Sequence, residues 1–239
     1  MYKKSSKIIR SKLFCKSDIA QGEEKYKIRN WTDRLKRIQR FKKTGKLLEI
    51  GGGGQFLSLA RSYGYEVYGV EPLESTCKQA KAKYNIDIHP KTLQEAKFNT
   101  ESFDIVAMFH VIEHVPSPSD VVCEVYRILR KEGLLVIETP KIGIWFKYLQ
   151  QNRQPLIPSH YWFFNPITIE KLLNKYGFKI LEIKSIGKSV SFRFLLNRIE
   201  RLIGKSTEVF LKTLEVLGLE EKTVYINPGD IMLVIAKKR

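Results

Sequence analysis

The chain has 239 residues, 43% of them hydrophobic and 11% aromatic, with a formal net charge of +17 and an isoelectric point near 9.7. That composition fits one globular domain with a sizeable core. Cys15, Cys77 and Cys123 are scattered with no CxxC pair, which argues against a disulfide framework or a cysteine zinc site, and no run nears the ~18 apolar residues of a membrane-spanning helix.

The charge is uneven. Residues 1–46 hold sixteen Lys and Arg against four acids. Such a segment attracts phosphate-bearing substrates, RNA or an anionic membrane surface, or simply solvates itself. Residues 1–25 read as a basic arm without an apolar signal region, so a cytoplasmic location is expected, with attachment to a membrane surface left open. Residues 26–239 read as one domain. Ile28, Trp31, Leu35, Ile38 and Phe41 recur at helical spacing. Leu47–Ile50 reads as a buried strand, Gly51–Gly54 as a turn and Phe56–Tyr63 as a helix. Strand Glu66–Val70, helix Leu73–Tyr84 and a short strand Ile86–His89 follow. Phe103–Phe109 is continuously apolar, which predicts a central strand covered on both faces.

Ser119 or Asp120 should cap a helix running to Arg130. Lys131–Gly133 reads as a turn before strand Leu134–Glu138. Asn165-Pro166 is a helix start and Gly177 a helix stop. Phe178–Ile183 and Ile231–Ala236 read as strands. Between them, residues 191–218 carry two amphipathic helices broken near Gly204, an insertion that could cap a site or lie on a membrane through Phe192, Phe194, Leu195 and Leu196. Alternating strands and helices predict an α/β fold with a mostly parallel sheet between two helical layers.

The stretch from Lys46 to Pro72 holds the clearest chemistry. Glycine lets a ligand approach bare backbone, the following helix presents unpaired N–H groups, and the crevice lies beyond the strand ends. Glu71 ends the next strand, where a carboxylate can accept both hydroxyls of a ribose. A nicotinamide cofactor would want glycine at position 56, which is Phe. An acid at Glu49 suits a cationic amino-acid group better than a pyrophosphate.

Glu49-Ile50-Gly51-Gly52-Gly53-Gly54 resembles the first motif of class I S-adenosylmethionine (SAM) dependent methyltransferases, and Glu71 matches their ribose-binding acid. "FDIVAMFHVIEHVPSP" (103–118) is similar to the segment after the fourth strand of ubiquinone-biosynthesis-like methyltransferases. "LRKEGLLVIETP" (129–140) and "HYWFFNPITIEKLLNKYGF" (160–178) extend the resemblance, the latter toward the broad group that modifies glycans, lipids and small molecules. It runs from roughly Tyr26 to Lys238. Gln55 departs from it, standing where the family has its third glycine; Gly54 could take that role after a one-residue deletion.

The resemblance implies a Rossmann-like three-layer sandwich with a seven-stranded, mostly parallel sheet and a last antiparallel strand. It implies SAM as cofactor and S-adenosylhomocysteine as product. Glu49, Gly51, Gly52, Gly53, Glu71 and Pro72 would hold the cofactor. Thr92, Leu93 and Gln94 are the candidates near adenine, while Met108, Phe109 and His110 would face the sulfonium and methionine part. His110 and His160 are the candidate bases for a hydroxyl acceptor. His110, Glu113 and His114 resemble a metal element of some ubiquinone and small-RNA methyltransferases, with His160 as a fourth ligand. Glu113 and His114 could equally organise the loop by hydrogen bonds, so a divalent metal is a possibility the pattern does not require.

The expected function is O-methylation of a sugar, a lipid-linked glycan or a small metabolite. Two alternatives stay open. One is an RNA methyltransferase, with Tyr2, Tyr26 and Trp31 available to stack on bases. The other is a non-catalytic SAM-fold binding protein, for which Gln55 speaks.

Overall fold

The computed structural model describes residues 21–142, 160–203, 208–219 and 222–239. Tyr2 and Cys15 in the arm, the 143–159 connection and Gly204 lie outside the described residues. Helix α1 spans Gln21–Gln39 and so begins within the segment read as arm. Then come β1 (Gly45–Ile50), α2 (Gln55–Ser62), β2 (Tyr65–Val70), α3 (Glu74–Tyr84) and the short α4 (Leu93–Ala96). Strand β3 (Phe103–Phe109) leads through a 3₁₀ turn at Ile112–His114 to α5 (Pro118–Ile128) and β4 (Leu129–Pro140). The remaining elements are α6 (Pro166–Lys175), β5 (Phe178–Ser185), β6 (Lys188–Ser191), α7 (Phe192–Ile203), α8 (Glu208–Val216), β7 (Thr223–Ile226) and β8 (Ile231–Lys238).

Six strands form the main sheet in the order β2-β1-β3-β4-β8-β5. The β2–β1, β1–β3 and β3–β4 pairs are parallel; β8 runs antiparallel to both β4 and β5. The expected seventh strand is a correction. Ile86–His89 contributes one parallel bridge, Val70 to His89, because Pro90 follows at once and offers no N–H to continue a ladder. Two further differences concern the edges of elements. Strand β4 starts at Leu129, and Glu132 at a φ of 62° makes an irregularity within the strand where a turn was expected. Strands β6 and β7 pair as a separate two-stranded sheet that the sequence did not reveal.

Alternation along the strands sends successive side chains to opposite faces. Leu48, Ile50, Val106, Met108, Leu135 and Ile137 meet Val121, Val122 and Val125 of α5 and Ile169 and Leu173 of α6. On the other face Leu47, Ile105, Ala107 and Val136 meet Leu35 and Ile38 of α1 and Phe56 and Leu57 of α2. Each such side chain, fully buried, stabilises the fold by roughly 1.5–3 kcal/mol. Helix α1 is thus a structural layer of the domain. Tyr26 and Trp31 belong to it: Tyr26 is buried, and Trp31 packs its ring 4.9 Å from Phe109 and 5.5 Å from Phe56. Neither offers an open face to a base. Among the described residues no helix is long and apolar enough to cross a membrane.

Candidate cofactor and acceptor site

The carboxyl ends of β1 to β4 converge on two linked groups of residues. At the end of β1 the backbone turns sharply after Ile50, with the Gly51 N–H donating to the Val70 carbonyl at 2.8 Å. Gly54 caps α2 with a φ of 85°, a left-handed conformation that costs an L side chain energy. Gly52 is demanded by proximity, since a Cβ there would lie 2.0–2.4 Å from the carboxyl atoms of Glu49. Glu49 is 3% exposed, and its Oε2 has no hydrogen-bond partner among the described residues. Burial, and then the charge of Glu71, pushes its pKa up to about 8. Glu71 is buried at the end of β2, where its Oε1 accepts from the Leu73 N–H at 2.9 Å. Pro72 lies beside it, half-buried.

Such an arrangement fits a cofactor with a positively charged amino-acid end. The orphaned Glu49 oxygen sits against a glycine backbone, desolvated and short of a cation, and an ammonium would satisfy it. Gln55 also finds a role here. It opens α2, and its Oε1 accepts from the Trp31 indole N–H at 3.1 Å, tying α1 to the start of the glycine-turn helix.

The other expected donor-side residues are placed more mixedly. Thr92 and Glu95 form a reciprocal cap on α4, Leu93 is buried in the core, and Gln94 is exposed. The Met108 side chain is core, and the Phe109 ring stacks edge-on against Phe56 and Trp31. Both side chains are thus taken up by core packing.

His110 follows at a φ of 55°, which turns the chain out of β3, and its N–H donates to the Glu138 carbonyl at 2.8 Å. Its ring lies between two buried acids. Nε2 is 3.1 Å from Glu138 Oε1, and Nδ1 is 3.4 Å from Glu113 Oε1, an ion-pair contact too long for a full hydrogen bond. Burial disfavours the imidazolium, but the two carboxylates outweigh it, so the pKa is raised; Lys188, 3.4 Å from Nε2, works against them. Glu138 is anchored in turn by Arg34 of α1, with Nε to Oε2 at 3.0 Å and both side chains almost wholly buried. Although burial opposes ionisation, His110 and Arg34 hold its pKa down at about 2.

His160 arrives from a distant segment. The Tyr161 and Trp162 N–H groups donate to the Glu113 carbonyl at 2.9 and 3.2 Å, and the Trp162 indole N–H donates to Val115 O at 2.9 Å. These bonds dock the loop on the 3₁₀ turn and set the His160 ring 4.6 Å from that of His114. Burial, then His114, lowers the pKa of His160. Glu113, His114 and His160 each offer a ligand atom, all within 4.8 Å of one another. Glu113 Oε2 accepts from the Thr139 hydroxyl at 3.0 Å, while Oε1 lacks a hydrogen-bond donor among the described residues. Of the four expected ligands, three come together; His110 pairs with the acids instead.

Sequence reasoning missed Arg34 and Glu138. An acid closing an otherwise apolar strand, as in "LLVIE", was the available signal for Glu138, the same pattern that marked Glu49 in "LLEI". Arg34 gave none, because its partner is 104 positions away.

With its sheet order, glycine turn and paired acids, the chain belongs to the class I SAM-dependent methyltransferases: a family model described as a methyltransferase domain matches residues 21–183. A protein of Mycolicibacterium smegmatis named "Probable S-adenosylmethionine-dependent methyltransferase" is 30% identical over 136 residues, which are 56% of this chain and 52% of that protein. A ubiquinone biosynthesis O-methyltransferase of Haemophilus ducreyi is 33% identical over 106 residues, 39% of this chain and 44% of its own. The chain thus spans about half the length of these curated relatives. A solved SAM-dependent methyltransferase of Archaeoglobus fulgidus shares the fold with a TM-score of 0.60 over 90% of this chain and 97% of its own, at 22% identity.

Proposed function

We propose that the chain transfers a methyl group from SAM to a hydroxyl oxygen of a sugar, a lipid-linked glycan or a small metabolite. The observation that carries the donor half is the buried, unpartnered Glu49 oxygen against Gly52. When bound, SAM supplies an electrophilic methyl carbon on a sulfonium and leaves as S-adenosylhomocysteine. In this reading Glu49 accepts the ammonium, and Glu71, fixed through Leu73, receives the ribose hydroxyls. Backbone at the ends of β1 and β3 shapes the cavity and keeps water out.

For the acceptor half, the ubiquinone-biosynthesis relatives are named as O-methyltransferases, which favours oxygen. A hydroxyl must lose its proton as it attacks. His160 is suited to removing it, because its lowered pKa keeps the imidazole neutral near pH 7, with a nitrogen able to take the proton. His110 is less suited, since both its ring nitrogens face carboxylates. The test is calorimetric titration with SAM, followed by methyl transfer from labelled SAM onto a panel of hydroxyl-bearing acceptors. Micromolar SAM binding and a His160→Ala loss of turnover of about 100-fold support the reading; a folded protein that does not bind SAM overturns it.

A second reading rests on the Glu113, His114 and His160 group. One carboxylate and two imidazoles suit a divalent transition metal, which would polarise an acceptor oxygen. Titration of metal-free protein with Mn²⁺ or Zn²⁺ tests it directly. Binding lost in His114→Ala supports the site, and full turnover in chelated protein removes it. RNA methylation and non-catalytic binding gain no comparable support, since Trp31 and Tyr26 are packed and Gln55 serves the α1 contact.

A further inference from the structure

A cavity of about 400 Å³ lies outside the strand-end crevice, between α1, the β5–β6 turn and β7. Lys36, Arg37 and Arg40 line it from the end of α1, with Asp33 as an acid among them, and Tyr225 lines it from β7. The two arginines are held by one carboxylate. Arg37 Nη1 lies 3.0 Å from Glu182 Oε1 and Arg40 Nη1 lies 2.9 Å from Oε2. Each guanidinium spends one arm on that contact and is preorganised by it, with other donors remaining. Glu182 offsets one of the two charges. Lys36 is exposed and has no ion-pair partner among the described residues. Arg34 reaches the same cavity from inside, but Glu138 neutralises it.

The Tyr225 side is rigid as well. Its hydroxyl accepts from the Gly187 N–H at 2.8 Å, which fixes the ring while leaving the residue half exposed. Buried Ile186 closes the space beside it. The groove thus joins a cluster of cationic, forked donors and a fixed aromatic ring, in a volume suited to a small molecule.

We propose that this groove binds the phosphate group of a small organic phosphate, with Lys36, Arg37 and Arg40 on the phosphate oxygens and Tyr225 against the attached planar group. Forked guanidinium donors match tetrahedral phosphate oxygens, and charge-assisted bonds of this kind are the strong ones. The concave shape selects a compact ligand over a duplex. The net positive field of the chain, concentrated before residue 47, draws such an anion in. This site is separate from the proposed SAM crevice and does not depend on it.

Calorimetry with inorganic pyrophosphate and with uridine diphosphate, each added to protein already saturated with SAM, tests the proposal. The expected result is binding of both probes, tighter for uridine diphosphate. Lys36→Ala combined with Arg40→Ala should weaken both at least about tenfold while leaving SAM affinity and the melting temperature unchanged; Arg37 alone keeps Glu182 paired. Lys36→Arg alone should retain binding within about threefold, since a guanidinium keeps both the charge and the donors. Absence of binding at millimolar probe, or equal binding to the alanine pair, overturns the proposal and leaves these cations the role of offsetting the α1 helix dipole. Binding of single-stranded RNA but of neither small probe overturns it in favour of a nucleic-acid surface. Because SAM is titrated first and the probes are also added to SAM-free protein, loss of the methyltransferase reading and loss of the groove are told apart.

Discussion

At the ends of β1 and β2 the site is mostly backbone: a glycine turn, one desolvated acid beneath it and a second acid beside it. At the ends of β3 and β4 it is mostly side chain. A charged series runs from Arg34 through Glu138 and His110 to Glu113, then on to His114 and His160. The first region is assembled from 24 consecutive positions, 49 to 72. The second needs α1, β3, β4 and the loop at 160. A contiguous site can keep one donor molecule fixed across a family, whereas a site gathered from distant segments is free to change its acceptor. If that contrast is right, damage to the first region should strike SAM binding, and damage to the second should strike stability or acceptor chemistry.

The largest effect is expected at Gly52. In Gly52→Ala the new methyl would overlap the buried Glu49 carboxyl group and drive it from its place beneath the turn. SAM affinity should fall by about 100-fold, the scale of two lost charge-assisted contacts. Titration with SAM, alongside circular dichroism to confirm folding, checks this. Unchanged affinity would mean that Glu49 and Gly52 do not form the amino-acid end of the site.

Next is Arg34→Met, which cuts the second region at its base. Removing one partner of a buried ion pair typically costs about 3–5 kcal/mol. His110 remains beside Glu138, so a loss nearer the lower figure is expected in urea unfolding, with SAM affinity little changed. The contacts of Glu138 with His110 and Arg34 give a pH signature. Glu138 titrates near 2 in the folded protein and near 4.5 when unfolded. Its contribution to stability is complete above the unfolded value and is lost as the pH falls toward 2.

Glu49 has the opposite sign. Its folded pKa of about 8 lies above the unfolded 4.5, so the ligand-free protein holds a proton that the unfolded chain releases. Stability should therefore decline as pH rises from 4.5 to 8 and level off above. Glu49→Gln should flatten that slope and make the ligand-free protein about 1–3 kcal/mol more stable at pH 8, while weakening SAM binding. An unchanged slope would show that another group carries the proton.

How much of this was legible follows the same division. The glycine turn, Glu49 and Glu71 stood out because their spacing along the chain is their spacing in space. The last strand and the central β3 followed from apolar runs, while the antiparallel direction of the last strand followed from the family resemblance. His89 misled, since four strand-like residues before a proline give one bridge. The packing of Phe109 was not legible either, since nothing local says that its ring meets Phe56 and Trp31. Arg34 on Glu138 and Asn30 on Ser189, which fasten α1 to β4 and β6, join residues more than 100 positions apart and leave no periodic trace.

The smallest effect tests whether the second region depends on its loop. Asn165 caps α6: its Oδ1 accepts from the Thr168 N–H at 2.9 Å, and the Thr168 hydroxyl accepts from the Asn165 N–H at 2.9 Å. The cap lies just after Phe164, whose carbonyl accepts from the Ile142 N–H, and five residues after His160. Asn165→Ala should cost about 1 kcal/mol, readable as a small shift in the urea midpoint. SAM affinity should not move, because the glycine turn, Glu49 and Glu71 belong to β1, β2 and the segments that follow them. Methyl transfer should fall more than stability does, since the loop presenting His160 is tethered by Glu113 and Val115 on one side and by this cap on the other. A fall in SAM affinity matching the loss of stability would mean that the two regions form one cooperative unit and that their separation along the strand ends is only geometric.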